Sequence, residues 1–126
     1  ITLIDDCYNA NPDSVKCGID SMPDGEGRKV CILGDMLEMG ENMEMLHAEV
    51  GTYAAEHGAK LLITCGERSL NTHNTAEKLI PAEHFDTNAE LIAKLPQLVE
   101  KGDVVLVKAS HSMKFDEISE FLKTLK

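Results

Sequence analysis

Short apolar runs alternate with amphipathic stretches along the whole chain. Apolar, β-rich runs fall at Thr2–Ile4, Lys29–Leu33, Lys60–Thr64 and Asp103–Val107, with a weaker fifth around Glu83–Phe85. Between them, helical spacing predicts the helices. Leu46, Val50, Tyr53, Ala54 and His57 recur at i, i+4, i+7, i+8 and i+11 on one face and stop at Gly58. Leu91, Ile92, Leu95, Leu98 and Val99 repeat the pattern, with Pro96 expected to kink or divide that helix and Gly102 to end it. Asp116 is the expected cap of a last helix striped by Ile118, Phe121, Leu122 and Leu125. Continuous apolar strands separated by helices imply a mostly parallel sheet covered on both faces.

Parallel strands share a carboxyl edge, and the most polar junctions collect there. Asp5-Asp6-Cys7-Tyr8-Asn9-Ala10-Asn11-Pro12 leaves the first strand and enters a helix, with Asn11 placed to cap it and Pro12 at its first position. Gly34 and Asp35 leave the second strand; Gly66, Glu67 and Arg68 leave the third; Lys108, Ser110 and His111 leave the last. Residues over a hundred positions apart are therefore expected around one crevice, where ligands of open α/β sheets bind.

Composition narrows the options. With 126 residues, 43% of them hydrophobic and 27% charged, the chain fits one globular domain. Aromatics are 4% with no Trp, so Leu, Ile, Val, Ala and Met build the core, and Met36–Met45 is expected against apolar partners. A net charge of −10 argues against nucleic acid and anionic membrane partners. No run is long enough to span a bilayer. No signal peptide is evident, and the chain starts inside a strand without Met, which suggests a fragment of a longer protein. Cys7, Cys17, Cys31 and Cys65 show no metal-binding spacing and are read as reduced, structural thiols of a cytoplasmic protein. Pro23–Gly27 reads as a mobile loop.

Several chemistries lack their parts. There is no phosphate-cradling G-x-x-x-x-G-K-[ST] loop. Ser110 and His111 are neighbours on an extended segment and point apart, so they make no nucleophile pair. His47, His57, His73 and His84 are scattered, which favours surface or core-edge roles over metal ligation. Asp35 and Glu38 could bind a cation, but a solvated turn is the simpler reading. Alone, the domain looks like half of an active site.

The ordered motifs carry a resemblance. Asp5-Asp6-Cys7-Tyr8-Asn9-Ala10-Asn11-Pro12-Asp13-Ser14, Leu33-Gly34-Asp35-Met36-Leu37-Glu38-Met39-Gly40 with His47 beyond it, and Val107-Lys108-Ala109-Ser110-His111-Ser112-Met113 together resemble the C-terminal domain of the Mur ligases, in particular the branch that adds D-alanyl-D-alanine. The resemblance covers the whole chain and implies a Rossmann-like three-layer α/β/α sandwich with a mostly parallel sheet of five or six strands. It implies an ATP-dependent ligase acting in peptidoglycan precursor synthesis. ATP and Mg2+, held mainly by a central ATPase domain of the same chain, would convert UDP-MurNAc-tripeptide to an acyl phosphate, which D-alanyl-D-alanine attacks. An N-terminal domain would hold the UDP-sugar end, and the isolated C-terminal domain would be inactive. Residue by residue, Asp6, Tyr8 and Asn9 match the segment facing the nucleotide, and Lys108, Ser110 and His111 the segment near the acyl phosphate and dipeptide. Lys108 has the alternative of a solvated strand residue. The family has Gly and Arg where this chain has Ala109 and His111, which removes an easy positive φ and a permanent bidentate cation. A rival outline is the response-regulator receiver, which shares an acid pair (Asp5, Asp6) and a late lysine (Lys108) but lacks an aspartate in Thr64-Cys65-Gly66-Glu67. A pure interaction domain is the third option.

Overall fold

The computed structural model describes residues 2–6, 10–23, 27–37 and 39–125, with only the backbone of Asp6 and His111. Strands β1 (Thr2–Asp6), β2 (Lys29–Gly34), β3 (Ala59–Cys65), β4 (Ala82–Phe85) and β5 (Val104–Lys108) alternate with helices α1 (Pro12–Ser21), α2 (Met43–Glu56), α3 (Leu70–Ala76), α4 (Asn88–Leu98) and α5 (Asp116–Leu122). Every strand pairing is parallel, in the order β1-β5-β2-β3-β4. The Rossmann-like three-layer sandwich is thus observed, with five strands.

Side-chain alternation builds the two outer layers. Cys31, Leu33, Leu62 and Leu106 pack with Val15 and Ile19 of α1, Val50 and Ala54 of α2, and Ala76 of α3. Val30, Ile32, Ile63, Val105 and Val107 face Leu91 and Leu95 of α4 and Ile118 and Leu122 of α5. Burial on both sides is why the strands read as continuous apolar runs. The chain steps outward from β1 to β4 with α1, α2 and α3 on one face. It then returns by α4 across the other face to insert β5 beside β1, as right-handed crossovers require.

Four local expectations need correction, and one helix left no pattern in the sequence. The helix α3, Leu-Asn-Thr-His-Asn-Thr-Ala, carries no apolar stripe; its position comes from tertiary bonds in which Thr72 and Thr75 hydroxyls donate to the His47 and Ala48 carbonyls at 2.9 and 2.8 Å. Gly51 permits that approach, since a Cβ there would lie 2.2 Å from the Thr72 carbonyl oxygen. Pro96 does not divide α4, because it sits in the last turn of a helix ending at Leu98; Gly102, at φ +91°, instead turns the chain toward β5. Asp116 is the first residue of α5 rather than its cap, and Phe115 precedes it without a capping side chain. Among the methionines, Met36 is buried and Met39 packs on the same cluster, but Met45 is 61% exposed. Asp24, Gly25 and Glu26 of the expected mobile loop lie outside the described residues.

The amino-terminal edge is closed by an ion pair. Arg28 donates from Nε and Nη2 to the buried Asp103 carboxylate at 3.1 and 2.8 Å, which raises the guanidinium pKa, and also bonds the Leu98 carbonyl. This bidentate geometry ties β2 to the turn before β5. The opposite, carboxyl-terminal edge is left to function.

Candidate functional site

At the carboxyl rim, the register aligns Asp6 with Lys108 and Lys108 with Leu33 across three neighbouring strands. The chain leaves β1 toward the α1 face and β5 toward the α5 face, so a topological switch point lies between them. The entry to α1 is fixed by a capping box: Ser14 N–H donates to Asn11 Oδ1 at 2.9 Å, and Asn11 N–H to Ser14 Oγ at 3.0 Å, with Pro12 first in the helix. The capping role expected of Asn11 is therefore observed.

The turn Asp35-Met36-Leu37 is the hub of the rim. Ser110 N–H donates to the Asp35 carbonyl at 3.2 Å, and Leu37 N–H donates to Ser110 Oγ at 2.9 Å. These two bonds join the exits of β2 and β5, the second of them between residues 73 positions apart in sequence. The Asp35 carboxylate reaches the β3 exit, where Ser69 N–H donates to Oδ1 at 2.7 Å and Arg68 approaches Oδ2 at 3.7 Å. Gly66, at φ +117°, makes room: a Cβ there would fall 2.5 Å from Asp35 Oδ1. Met36 N–H donates to Nε2 of His47, whose Nδ1 lies 2.8 Å from the Met43 carbonyl. Gly34 is packed under the same turn, and its missing side chain leaves space for Phe115.

Several residues differ from expectation. Lys108 is only 2% exposed, so it is no solvated strand residue; its stem runs under α1, within 3.6 Å of where a Cβ on Gly18 would lie. Asp35 is 3% exposed and bonded across two loops, which rules out a solvated turn. Ser110 does not continue an extended strand, because a single 3₁₀ turn, His111–Met113, begins directly after it. The side chains of Asp6 and His111, and Tyr8, Asn9, Cys7 and Glu38 altogether, lie outside the described residues. Ala109 adopts no positive φ and buries its methyl with Phe115 and Ile118.

The histidines are less scattered than their spacing suggests. His47 is fully buried beneath the rim. His73 and His84 lie with ring centroids 5.7 Å apart, and His84 Nδ1 is 2.7 Å from Thr64 Oγ1. Burial, and then the neighbouring His73, push the His84 pKa below its usual value. Burial pushes the Cys31 thiol up to about 12 and the Cys65 thiol up to about 11, so both stay protonated near neutrality. Among the described residues, no three His, Cys, Asp or Glu side chains are grouped to hold a metal ion. No helix among them is long and apolar enough to cross a membrane.

Sequence reasoning found the rim but missed the roles of His47, Arg68 and Ser69. The family spacing to His47 was the only signal for the first. The receiver outline fails on topology: receivers order their strands 2-1-3-4-5, whereas β1 here is an edge strand beside β5. Cys65, at the end of β3 where a receiver needs its aspartate, points its thiol at Asn88 Oδ1, 3.4 Å away.

Residues 1–111 match the family described as Mur ligase, glutamate ligase domain. The UDP-N-acetylmuramoyl-tripeptide–D-alanyl-D-alanine ligase of Bacillus subtilis is 32% identical over 123 residues, covering 94% of this chain and 27% of that protein. The Haemophilus influenzae protein of the same name is 33% identical, covering 98% of this chain and 27% of its own length. Among solved structures, MurF from Acinetobacter baumannii aligns with a TM-score of 0.82 at 25% identity over 98% of this chain and 27% of its own. MurF ligase from Thermotoga maritima, in complex with ADP, aligns with a TM-score of 0.76 at 26% identity, over 98% of this chain and 28% of its own. The chain thus spans 27% of the length of the first curated relatives it matches.

Proposed function

The chain belongs to the Mur ligase family, and from that premise we propose that it is the C-terminal domain, residues 1–126, of the ligase that joins D-alanyl-D-alanine to UDP-MurNAc-tripeptide. The reaction needs two activations. A carboxylate oxygen of the tripeptide attacks the γ-phosphorus of ATP, expelling ADP and leaving an acyl phosphate. The dipeptide amine then attacks the acyl carbon; the tetrahedral intermediate loses its amine proton and expels phosphate as the amide forms. An acyl phosphate hydrolyses if water reaches it, so a second domain closing over the first contributes positioning and water exclusion.

In this reading the carboxyl rim is the closing surface. Asp6, Tyr8 and Asn9 contact the nucleotide by hydrogen bonds and a ring. Ser110 orients the substrate, and Lys108, covered by α1, and His111 belong to the segment near the acyl phosphate and dipeptide. His111 stands where the family has Arg, and a histidine does not carry that permanent bidentate cation. The central ATPase domain of the same chain holds ATP and Mg2+. The free thiols of Cys17, Cys31 and Cys65 accord with a reducing cytoplasm. The observation that carries the reading is the junction of Asp6, Lys108 and the Ser110–Leu37 bond at one switch point. It is tested in the full-length ligase: Ser110→Ala and Asp6→Ala should each lower turnover by more than any loss of folded protein explains, with Ser110→Ala also lowering the unfolding midpoint because Leu37 N–H loses its acceptor. Unchanged kinetics in both variants would remove the rim from the reaction.

A further inference from the structure

We propose that His47 is a positioning residue, which holds the Asp35–Leu37 turn so that Leu37 N–H meets Ser110 Oγ and fixes the direction of that hydroxyl. Among the described residues, four hydrogen bonds attach the three residues of the turn to their surroundings, besides the Arg68 ion pair to Asp35. Ser69 N–H binds the Asp35 carboxylate, Ser110 N–H binds its carbonyl, His47 Nε2 accepts from Met36, and Ser110 Oγ accepts from Leu37. The Asp35 carbonyl and the Met36 N–H belong to one peptide unit, so Ser110 and His47 hold that plane from its two sides, and the next unit carries the Leu37 N–H to Ser110 Oγ.

The ring is itself determined on every side. Met36 N–H is a donor at 2.9 Å, so Nε2 must carry a lone pair, and the neutral ring's one proton sits on Nδ1, donated to the Met43 carbonyl at 2.8 Å. Its backbone is held by the Thr72 hydroxyl, bonded to the His47 carbonyl at 2.9 Å. The residue has no surface open to bulk solvent, being 0% exposed. A leucine could fill this volume, but it could not accept from Met36. The purely structural alternative, a packed core histidine, predicts uniform loss of stability on substitution. The positioning role predicts loss focused on Leu37 and Ser110. With one lone pair of Ser110 Oγ engaged by Leu37, the hydroxyl proton is directed to the remaining part of its sphere, which is how the turn would set a substrate contact.

This inference rests on the ligase reading only for its consequence in turnover, so its test begins with amide exchange in this chain. His47→Leu should speed exchange at Leu37 by about tenfold beyond any change at Leu62 in the central sheet, the loss expected for one hydrogen bond. His47→Gln, which can accept from Met36 and donate to Met43, should restore most of that protection. In native protein, ring nitrogen shifts should show the proton on Nδ1. Should His47→Leu not fold, the Gln variant and the shifts still decide the matter. Equal acceleration at Leu37 and Leu62, or a proton on Nε2, would overturn the role and leave the ligase reading standing. In the full-length ligase, His47→Leu should raise KM for the dipeptide more than it lowers kcat, with no further loss when combined with Ser110→Ala. Additive losses would contradict coupling through Ser110.

Discussion

Gly34→Ala tests how tightly the rim is built. A Cβ at Gly34 would sit 2.5 Å from Phe115 Cζ, 2.8 Å from Ala109 Cβ and 3.0 Å from Phe115 Cε1. Ordinary contact begins at 3.4 Å, so the ring must retreat by 0.9 Å. It has nowhere to go. Phe115 is 1% exposed among Ile32, Ile63, Leu91 and Ile118, and Ala109 is pinned by the Ser110 bonds. Overpacking of this kind costs about 1–3 kcal/mol, against which the lower chain entropy of Ala returns about 0.4–1 kcal/mol. A net loss of roughly 1–2 kcal/mol in urea unfolding, at unchanged slope, is expected. Phe115→Leu alone should also destabilise, by leaving a void. The pair should cost less than the two single losses together by about 1 kcal/mol, because the smaller side chain vacates the space the new methyl needs. Phe115 lies just past the Ser110 turn and beside Lys114, the one described non-glycine residue at positive φ, +57°. Displacing it should therefore also loosen the Leu37–Ser110 bond. A neutral Gly34→Ala, or strictly additive losses, would refute the packing argument.

Two further outcomes follow from the same geometry. Asp35→Ala strands the buried Ser69 N–H and should cost about 1–3 kcal/mol, whereas Asp35→Asn keeps an oxygen for it and should cost clearly less; equal losses by urea unfolding would mean that the 2.7 Å bond does not anchor the β3 exit. His84 binds its proton less readily folded than unfolded, because of burial and His73, so its contribution is present above the unfolded value of about 6.5 and is lost as pH falls below it. Wild-type protein should lose more stability than His84→Gln between pH 7.5 and 5.5, and parallel pH curves would assign the loss elsewhere.

Much of the fold was readable because buried parallel strands leave continuous apolar runs and amphipathic helices leave stripes. All five strands and most of the stripes of α2, α4 and α5 fall where the pattern put them, although His57 is exposed at the C-cap of α2 and Val99 and Leu125 lie past the ends of α4 and α5. The helix α3 was not readable, since its stability comes from threonine hydroxyls bonding the carbonyls of α2, a relation between residues about 25 apart that no local period encodes. The rim was legible as a set of polar strand exits, because parallel order alone brings carboxyl ends together. What each side chain does there was not. Asp35 reads as a turn acid until Ser69 and Arg68 are brought to it, Lys108 as a surface charge until α1 covers it, and His47 as an isolated residue until Met36 turns back over its ring. These roles depend on contacts between loops, and one sequence carries no period or spacing for them.

In the proposed ligase the carboxyl rim closes on a neighbouring nucleotide-bearing domain. Amide exchange of the full-length ligase, with and without ATP analogue and UDP-MurNAc-tripeptide, measures this directly. Protection should rise at Asp5–Asp6, Asp35–Leu37 and Ser110–Met113, while Arg28, Gly58 and Asp103 at the opposite edge stay unchanged. Protection gained at the Arg28 edge, with none at the Ser110 turn, would contradict the account.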